Sequence, residues 1–238
     1  YTERFERGVV ARKFKDEGPT DKHGLYVRFK PDAQIFEETT FDYETLLKRL
    51  REQAFLNAGV NISLRDERAP LEDGTYREDD LMYEGGIRSF VEHINEQKHC
   101  EVIHPEVIYM RAEKEDCVAE VAMQYNDSYN EAVLTFANNI NTVEGGTHEI
   151  GFKTALTKVF NDYGKKYNIL KADEKLSGED TREGLTAIVS VKLVDAQFES
   201  QTKAKLGNSE MRTLVESMVT DKLTEYLEEN PTVARAII

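Results

Sequence analysis

The chain has 238 residues, of which 39% are hydrophobic and 9% aromatic, with no Trp and a formal net charge of −14. That length allows one large domain or two small ones, and the composition can supply a core. The acidic balance argues against a free-standing nucleic-acid binder, which would show a basic footprint, so any DNA contact is local or made by another part of a larger protein.

In chain order, residues 4–14 and 24–30 alternate apolar and polar and predict two strands, with turn chemistry over 16–22 between them. Tyr43, Leu46, Leu47, Leu50, Ala54 and Phe55 recur at helical spacing, which predicts a helix over 43–56. A strand over 61–65 follows, then a charge-dense surface loop over 66–82 containing Pro70, Gly74 and the acidic run Glu78-Asp79-Asp80. Gly85-Gly86 reads as a hinge, after which Ile87, Phe90, Val91 and Ile94 predict a second helix over 87–95.

The remainder reads as a separate unit. Residues 107–112, 117–125 and 132–137 are strand candidates, with a turn over 126–130. A long helix over 148–166 is expected to bury Ile150, Ala155, Leu156, Val159, Phe160 and Tyr163, and the polar stretch 171–183 is expected to be mobile. The run 185–193 is β-branched and predicts a central strand. Residues 210–228 give the clearest amphipathic helix, ended by Asn230-Pro231, with a short apolar tail beyond.

Cys100 and Cys117 do not make a disulfide framework, and a reducing compartment, the cytoplasm, is the expected setting. No apolar run reaches the roughly 18 residues of a membrane-spanning helix. The chain opens on Tyr1 in strand-like sequence, which predicts a piece of a longer polypeptide.

Two loops carry chemistry. In Phe198–Glu210, Gln201, Thr202, Lys203, Lys205, Gly207 and Asn208 form a basic loop of small and polar residues before a helix. One reading is a solvated turn. The other is a loop that reaches a phosphate, because a helix start offers N–H groups and lysine adds a point charge. In Asn138–His148, paired Gly145-Gly146 permit a sharp turn or a close approach, Thr147 is placed to cap the next helix, and Glu149 falls in its first turn. The five histidines and two cysteines show no zinc-ligand spacing, so no metal site is expected. There is no G-x-x-x-x-G-K-[ST] loop, no G-x-G-x-x-G after a strand, and no nucleophile elbow.

A set of longer strings carries a resemblance: Glu52–Asn57 with Gly59-Val60, Tyr83–Ile87, Gln124–Tyr129, Asn138–His148, Gly178–Ala187 and Gln201–Glu210. Over essentially the whole chain these resemble the ATPase subunits of bacterial type IIA DNA topoisomerases, namely DNA gyrase B and its counterpart in topoisomerase IV, with gyrase the nearer of the two. The resemblance implies an α+β fold. Residues 1–85 would be the C-terminal part of a GHKL-type ATP-binding domain, and 86–238 a transducer domain like domain 2 of ribosomal protein S5. It implies that Gln201 and Lys203 contact the γ-phosphate of ATP, with Lys203 in the catalytic role and as a sensor of hydrolysis, and that ATP and Mg²⁺ serve the full-length protein.

DNA gyrase A and double-stranded DNA are the implied partners, in an A2B2 assembly. The family's glycine-rich lid, Mg²⁺-binding asparagine, catalytic glutamate, adenine-binding aspartate and dimerising arm would precede Tyr1. The piece alone is therefore expected to be inactive, free of bound cofactor, and monomeric or weakly associated. One departure stands out. Where the family has Thr-Gly-Thr near the adenine, this chain has His23-Gly24-Leu25, and Leu25 has no hydroxyl. A non-catalytic binding module built on the S5-like half is the alternative from another class.

Overall fold

A computed structural model describes residues 1–238, which divide into two compact units, Tyr1–Leu46 and Leu47–Ile238. In the first unit the expected single strand over 4–14 is a hairpin. Strands β1 (Thr2–Glu6) and β2 (Val9–Lys15) pair antiparallel, with Glu6 opposite Val9. The reversal is Arg7-Gly8, both at positive φ, 50° and 77°. A two-residue hairpin turn of the twist-matched kind needs that pair of signs, and glycine meets it without steric cost. Arg7 also reaches Asp32 at 2.8 Å. Residues 24–30, expected as a strand, enter no sheet, and Leu25, Tyr26, Val27 and Phe29 stand exposed.

In the second unit, helix α1 (Tyr43–Leu56) contributes its residues from Leu47 onward. Strands β3 (Ile62–Asp66) and β4 (Arg77–Leu81) then form a second antiparallel pair. The charge-dense stretch expected as loop therefore ends in a strand. Arg65 faces Glu78 and Asp66 faces Arg77, so opposite charges sit across the ladder and support the pairing.

The main body is one five-stranded mixed sheet. Its strands are β5 (Ile108–Lys114), β6 (Cys117–Tyr125), β7 (Ala132–Ala137), β8 (Ile140–Asn141) and β9 (Leu185–Lys192). Their order is β5-β6-β9-β7-β8, with β9 antiparallel to β6 and parallel to β7. A parallel pair needs a crossover, and α3 (Thr147–Lys166) lies in that connection. Strand β9 is central and almost wholly buried, which is why its sequence is apolar and β-branched without clean alternation.

The period of two still sorts side chains between two cores. Val121, Met123, Leu185, Ala187, Val189 and Val191 join α3 and α4 (Ser209–Glu229) on one face. Ala122, Phe136 and Ile188 join Phe55 of α1 and the apolar side of α2 (Ile87–Gln97) on the other. There Phe55 stacks between Tyr83 and Phe90, with ring centroids at 3.7 and 4.7 Å. The result is an α+β unit with helices on both faces of a sheet.

A cluster of buried polar side chains is mutually paired. Asn95 donates to Gln124 Oε1 at 2.9 Å and accepts from Asn126 and from the Thr186 hydroxyl at 3.0 and 2.7 Å. Ile150, expected on the buried side of α3, is exposed, because the buried stripe runs through Gly151, Phe152, Ala155, Leu156 and Val159 and position 150 falls outside it. The stretch 171–183 is anchored at Leu176 and Thr181, while residues 171–175 are exposed. Leu176 packs on the core, and Tyr125 donates its hydroxyl to the Thr181 carbonyl at 2.6 Å. The apolar tail is a short helix, α5 (Pro231–Ile237), started by proline at a position that needs no N–H donor.

Candidate functional site

The basic loop is a narrow hairpin-like excursion between β9 and α4. Phe198 and Leu206 form an antiparallel bridge, Glu199 N–H donates to Lys205 O at 3.0 Å, and Gly207 N–H to Gln197 O at 2.8 Å. Lys203 N–H donates to Ser200 O at 3.0 Å, so Ser200–Lys203 is a turn with Gln201 and Thr202 at its centre. Lys203 itself sits at φ 56°, a conformation few non-glycine residues adopt. Gln201 and Lys203 thus come together at an exposed tip. The two lysines differ in their partners. Lys205 pairs with Glu199 at 3.0 Å, whereas Lys203 makes no ion pair and presents its charge to solvent.

The base of the excursion is fixed to the core. Leu206 is fully buried and Ala204 nearly so. Their backbone runs beside the paired glycines. Glu144 N–H donates to Ala204 O at 2.9 Å, Leu206 N–H to Gly145 O at 3.1 Å, and Thr147 N–H to Leu206 O at 3.1 Å. Gly146 lies at φ 138°, and a Cβ there would stand 2.4 Å from Leu206 O and 2.6 Å from Leu206 N. Only glycine lets the two main chains approach this closely.

Thr147 does not cap α3. Gly146 occupies the capping position, so Thr147 is already inside the helix, and its hydroxyl instead donates to Asn208 O at 2.7 Å. That bond joins the starts of α3 and α4. The start of α4 is a poor anion site, because Glu210 is in its first turn and the Asn208 side chain holds the Glu210 carboxyl below its ordinary pKa. The free cation is Lys203, not the helix end.

His148 is fully buried beneath this junction. Its Nε2 lies 3.1 Å from the Thr142 hydroxyl, and Nδ1 has no partner. Burial lowers its pKa from 6.5 to about 4, so the ring is neutral in the fold. The unfolded chain takes up a proton below pH 6.5 that the folded one refuses, so this contribution is intact above pH 6.5 and is lost as pH falls toward 4. At about 1.4 kcal/mol per unit the loss amounts to roughly 3 kcal/mol. Denaturant unfolding at pH 7.5 and 4.5 is expected to show this drop, and His148→Gln to flatten it.

No group of three His, Cys, Asp or Glu residues is placed to hold a metal. Cys100 and Cys117 are free thiols. Gly85-Gly86 opens α2, and a Cβ at Gly86 would meet Ala58 Cβ at 3.2 Å, so close packing accounts for that pair. Leu25 lies in the first unit, exposed. One surface escaped the sequence reading: Lys153, Lys158, Lys165, Lys175 and Arg182 line a groove along α3. Helical spacing groups Lys158 with Lys165, seven residues apart, but not Lys153. Lys153 and Arg182 are both engaged by Glu131 at 2.8 Å.

A family model for DNA gyrase B matches residues 86–238. DNA gyrase B of Clostridium acetobutylicum is 52% identical over 236 residues, covering 98% of this chain and 36% of the relative. DNA gyrase B of Staphylococcus aureus is also 52% identical, over 240 residues, covering 100% of this chain and 36% of the relative. This chain therefore spans about a third of the length of the curated relatives it matches. Among solved structures, the 43K ATPase domain of Thermus thermophilus gyrase B, in complex with an aminocoumarin, superposes with a TM-score of 0.79 at 34% identity. The match covers 99% of this chain and 62% of that one. No helix is long and apolar enough to cross a membrane.

Proposed function

We propose that this chain, which belongs to the DNA gyrase B family, supplies a larger ATP-driven type II DNA topoisomerase with the residues that read the γ-phosphate of ATP. Residues 1–85 would end the ATP-binding domain and 86–238 form the transducer. Gln201 and Lys203 would touch the γ-phosphate, with Lys203 bearing the catalytic charge. The observation that carries this reading is an exposed, unpaired lysine on a tip whose base is locked to buried backbone. A cation held in place before the reaction stabilises charge that develops on the transferred phosphoryl group without reorganising.

After hydrolysis the ammonium loses its partner. Because the loop is bonded to Gly145, to Thr147 and, at Gln197, to the Asn208 side chain, a shift of the tip passes to the starts of α3 and α4, where a rigid-body movement can begin. ATP with Mg²⁺ would serve the full-length protein in the cytoplasm, in an A2B2 assembly with DNA gyrase A that works on double-stranded DNA. The 238 residues alone would turn over no ATP.

The test is reconstitution. Full-length protein combined with its cognate gyrase A is expected to introduce negative supercoils into relaxed plasmid when ATP is present. Decatenation without supercoiling would reassign the protein to topoisomerase IV, and ATP-independent or absent strand passage would contradict the proposal.

A further inference from the structure

We infer that Asn208 is a positioning residue for the γ-phosphate contact, fixing the incoming arm of the Lys203 loop; the inference rests on the reading of Gln201 and Lys203 proposed above. Asn208 stands at the capping position of α4, where an asparagine side chain ordinarily accepts from an N–H of the first helical turn. Here it makes no such bond. Its side chain, on a residue only 4% exposed, turns back to the loop. Oδ1 accepts from Gln197 N–H at 2.7 Å, and Nδ2 donates to Asp195 O at 3.0 Å and to Glu210 at 2.8 Å. The capping bond is forgone, and the side chain satisfies backbone groups of the stem instead.

The two arms of the excursion are held differently. The outgoing arm, Ala204 to Leu206, is bonded to residues 144–147. The incoming arm at Asp195 and Gln197 is bonded to the Asn208 side chain, with Gly207 N–H closing on Gln197 O. A tip hung from two arms keeps its direction only while both are fixed. Removing the Asn208 side chain leaves the incoming arm held by its pairing with the outgoing arm alone, keeps the Lys203 charge, and loosens the stem at Asp195 and Gln197 enough to shift the ammonium from the line of the γ-phosphate. Misplacement of a charged group by even about 1 Å can be costly in turnover. Asn208 also accepts from Thr147 through its main-chain oxygen, so the residue that aims the loop is the one that joins the two helix starts.

The test is a double-mutant cycle in the full-length protein, with kcat for ATP hydrolysis and the inhibition constant of ADP as readouts. Asn208→Ala is expected to lower kcat about tenfold, the worth of one to two hydrogen bonds, while ADP inhibition stays within about twofold. In a Lys203→Ala background the same substitution is expected to change kcat by less than about twofold, since coupled residues are not additive. Asn208→Ser keeps a hydroxyl acceptor and a good capping residue. It is expected to recover part of kcat, and it takes the alanine variant's place in the cycle if that variant fails to fold. Equal losses in both backgrounds, or ADP weakened as much as turnover, would overturn the inference. An unchanged kcat in Lys203→Ala alone would instead overturn the γ-phosphate reading, and this inference with it.

Discussion

Full-length protein carrying Lys203→Ala is expected to hydrolyse ATP about 100- to 1,000-fold more slowly than wild type, the usual loss when one pre-placed donor to a developing anion is removed. The size follows from the setting of this lysine. It makes no ion pair, unlike Lys205 with Glu199, so its charge is not already shared with a carboxylate. Its backbone at φ 56° is part of the geometry, and that raises a second cause to be separated. Alanine has the same Cβ as lysine and bears the same cost of about 1 kcal/mol at this φ, whereas glycine is free of it. Lys203→Gly therefore removes the charge and relaxes the backbone together. If the charge is what matters, the glycine variant is as slow as the alanine one. If the backbone is what matters, the alanine variant keeps wild-type turnover and only the glycine variant changes it. Lys203→Arg keeps the charge but replaces a compact ammonium by a planar fork, and an intermediate rate is expected. Gln201→Ala removes a neutral partner and is expected to cost about tenfold.

Gly146→Ala is expected to be strongly destabilising in the second unit, in the same class as Gly184→Ala, where a Cβ would also stand 2.4 Å from a backbone oxygen. Two penalties coincide. The φ of 138° lies where side chains rarely go, and the added carbon would stand 2.4 Å from a carbonyl oxygen that belongs to backbone and cannot swing aside. Strain of this kind costs about 1–3 kcal/mol, and the forced separation of buried, hydrogen-bonded chains adds as much again. For a domain of this size each kcal/mol lowers Tm by about 2–4 °C, so a fall of roughly 10 °C is expected in thermal unfolding. Gly8→Ala is the control. It also has positive φ, 77°, but open space around it, and only the conformational cost of about 1 kcal/mol should appear. Because Leu206 must move to admit the methyl group, ATP turnover by the full-length Gly146→Ala protein is expected to fall even where it remains folded. A Gly146→Ala protein as stable as wild type would show that the contact with Leu206 does not lock the loop.

Much of the architecture is legible in the sequence because it rests on local periodicity. The period of two over 117–125 and 132–137 matches β6 and β7, and the spacing of Met211, Leu214, Val215 and Met218 marks α4. What is not legible depends on partners. Strand β4 is charged, and only the residues opposite it in β3 make it a strand. The turn at Arg7-Gly8 interrupts no alternation, so β1 and β2 read as one. Residues 24–30 alternate well yet have no neighbour to pair with.

The same division holds at the site. The loop that carries Gln201 and Lys203 stands out by composition, which leaves both a solvated turn and a phosphate-reaching loop open, and the resemblance is what implies a role for the two residues. The groups that fix them do not stand out, because Gly146 meets Leu206 and Thr147 meets Asn208 across long stretches of chain. Thr147 illustrates the difference: its type and place suggest a helix cap, while its hydroxyl bonds a residue 61 positions away.

On the proposed function, Lys203 acts on the γ-phosphate and on little else of the nucleotide. Calorimetric titration of full-length wild type and Lys203→Ala with ADP and with a non-hydrolysable ATP analogue tests it most directly. A charge-assisted contact of about 1.5–3 kcal/mol predicts that the variant binds the analogue about 10- to 100-fold more weakly and ADP unchanged. Equal affinities of the two proteins for the analogue, or an equal loss for both nucleotides, would contradict it.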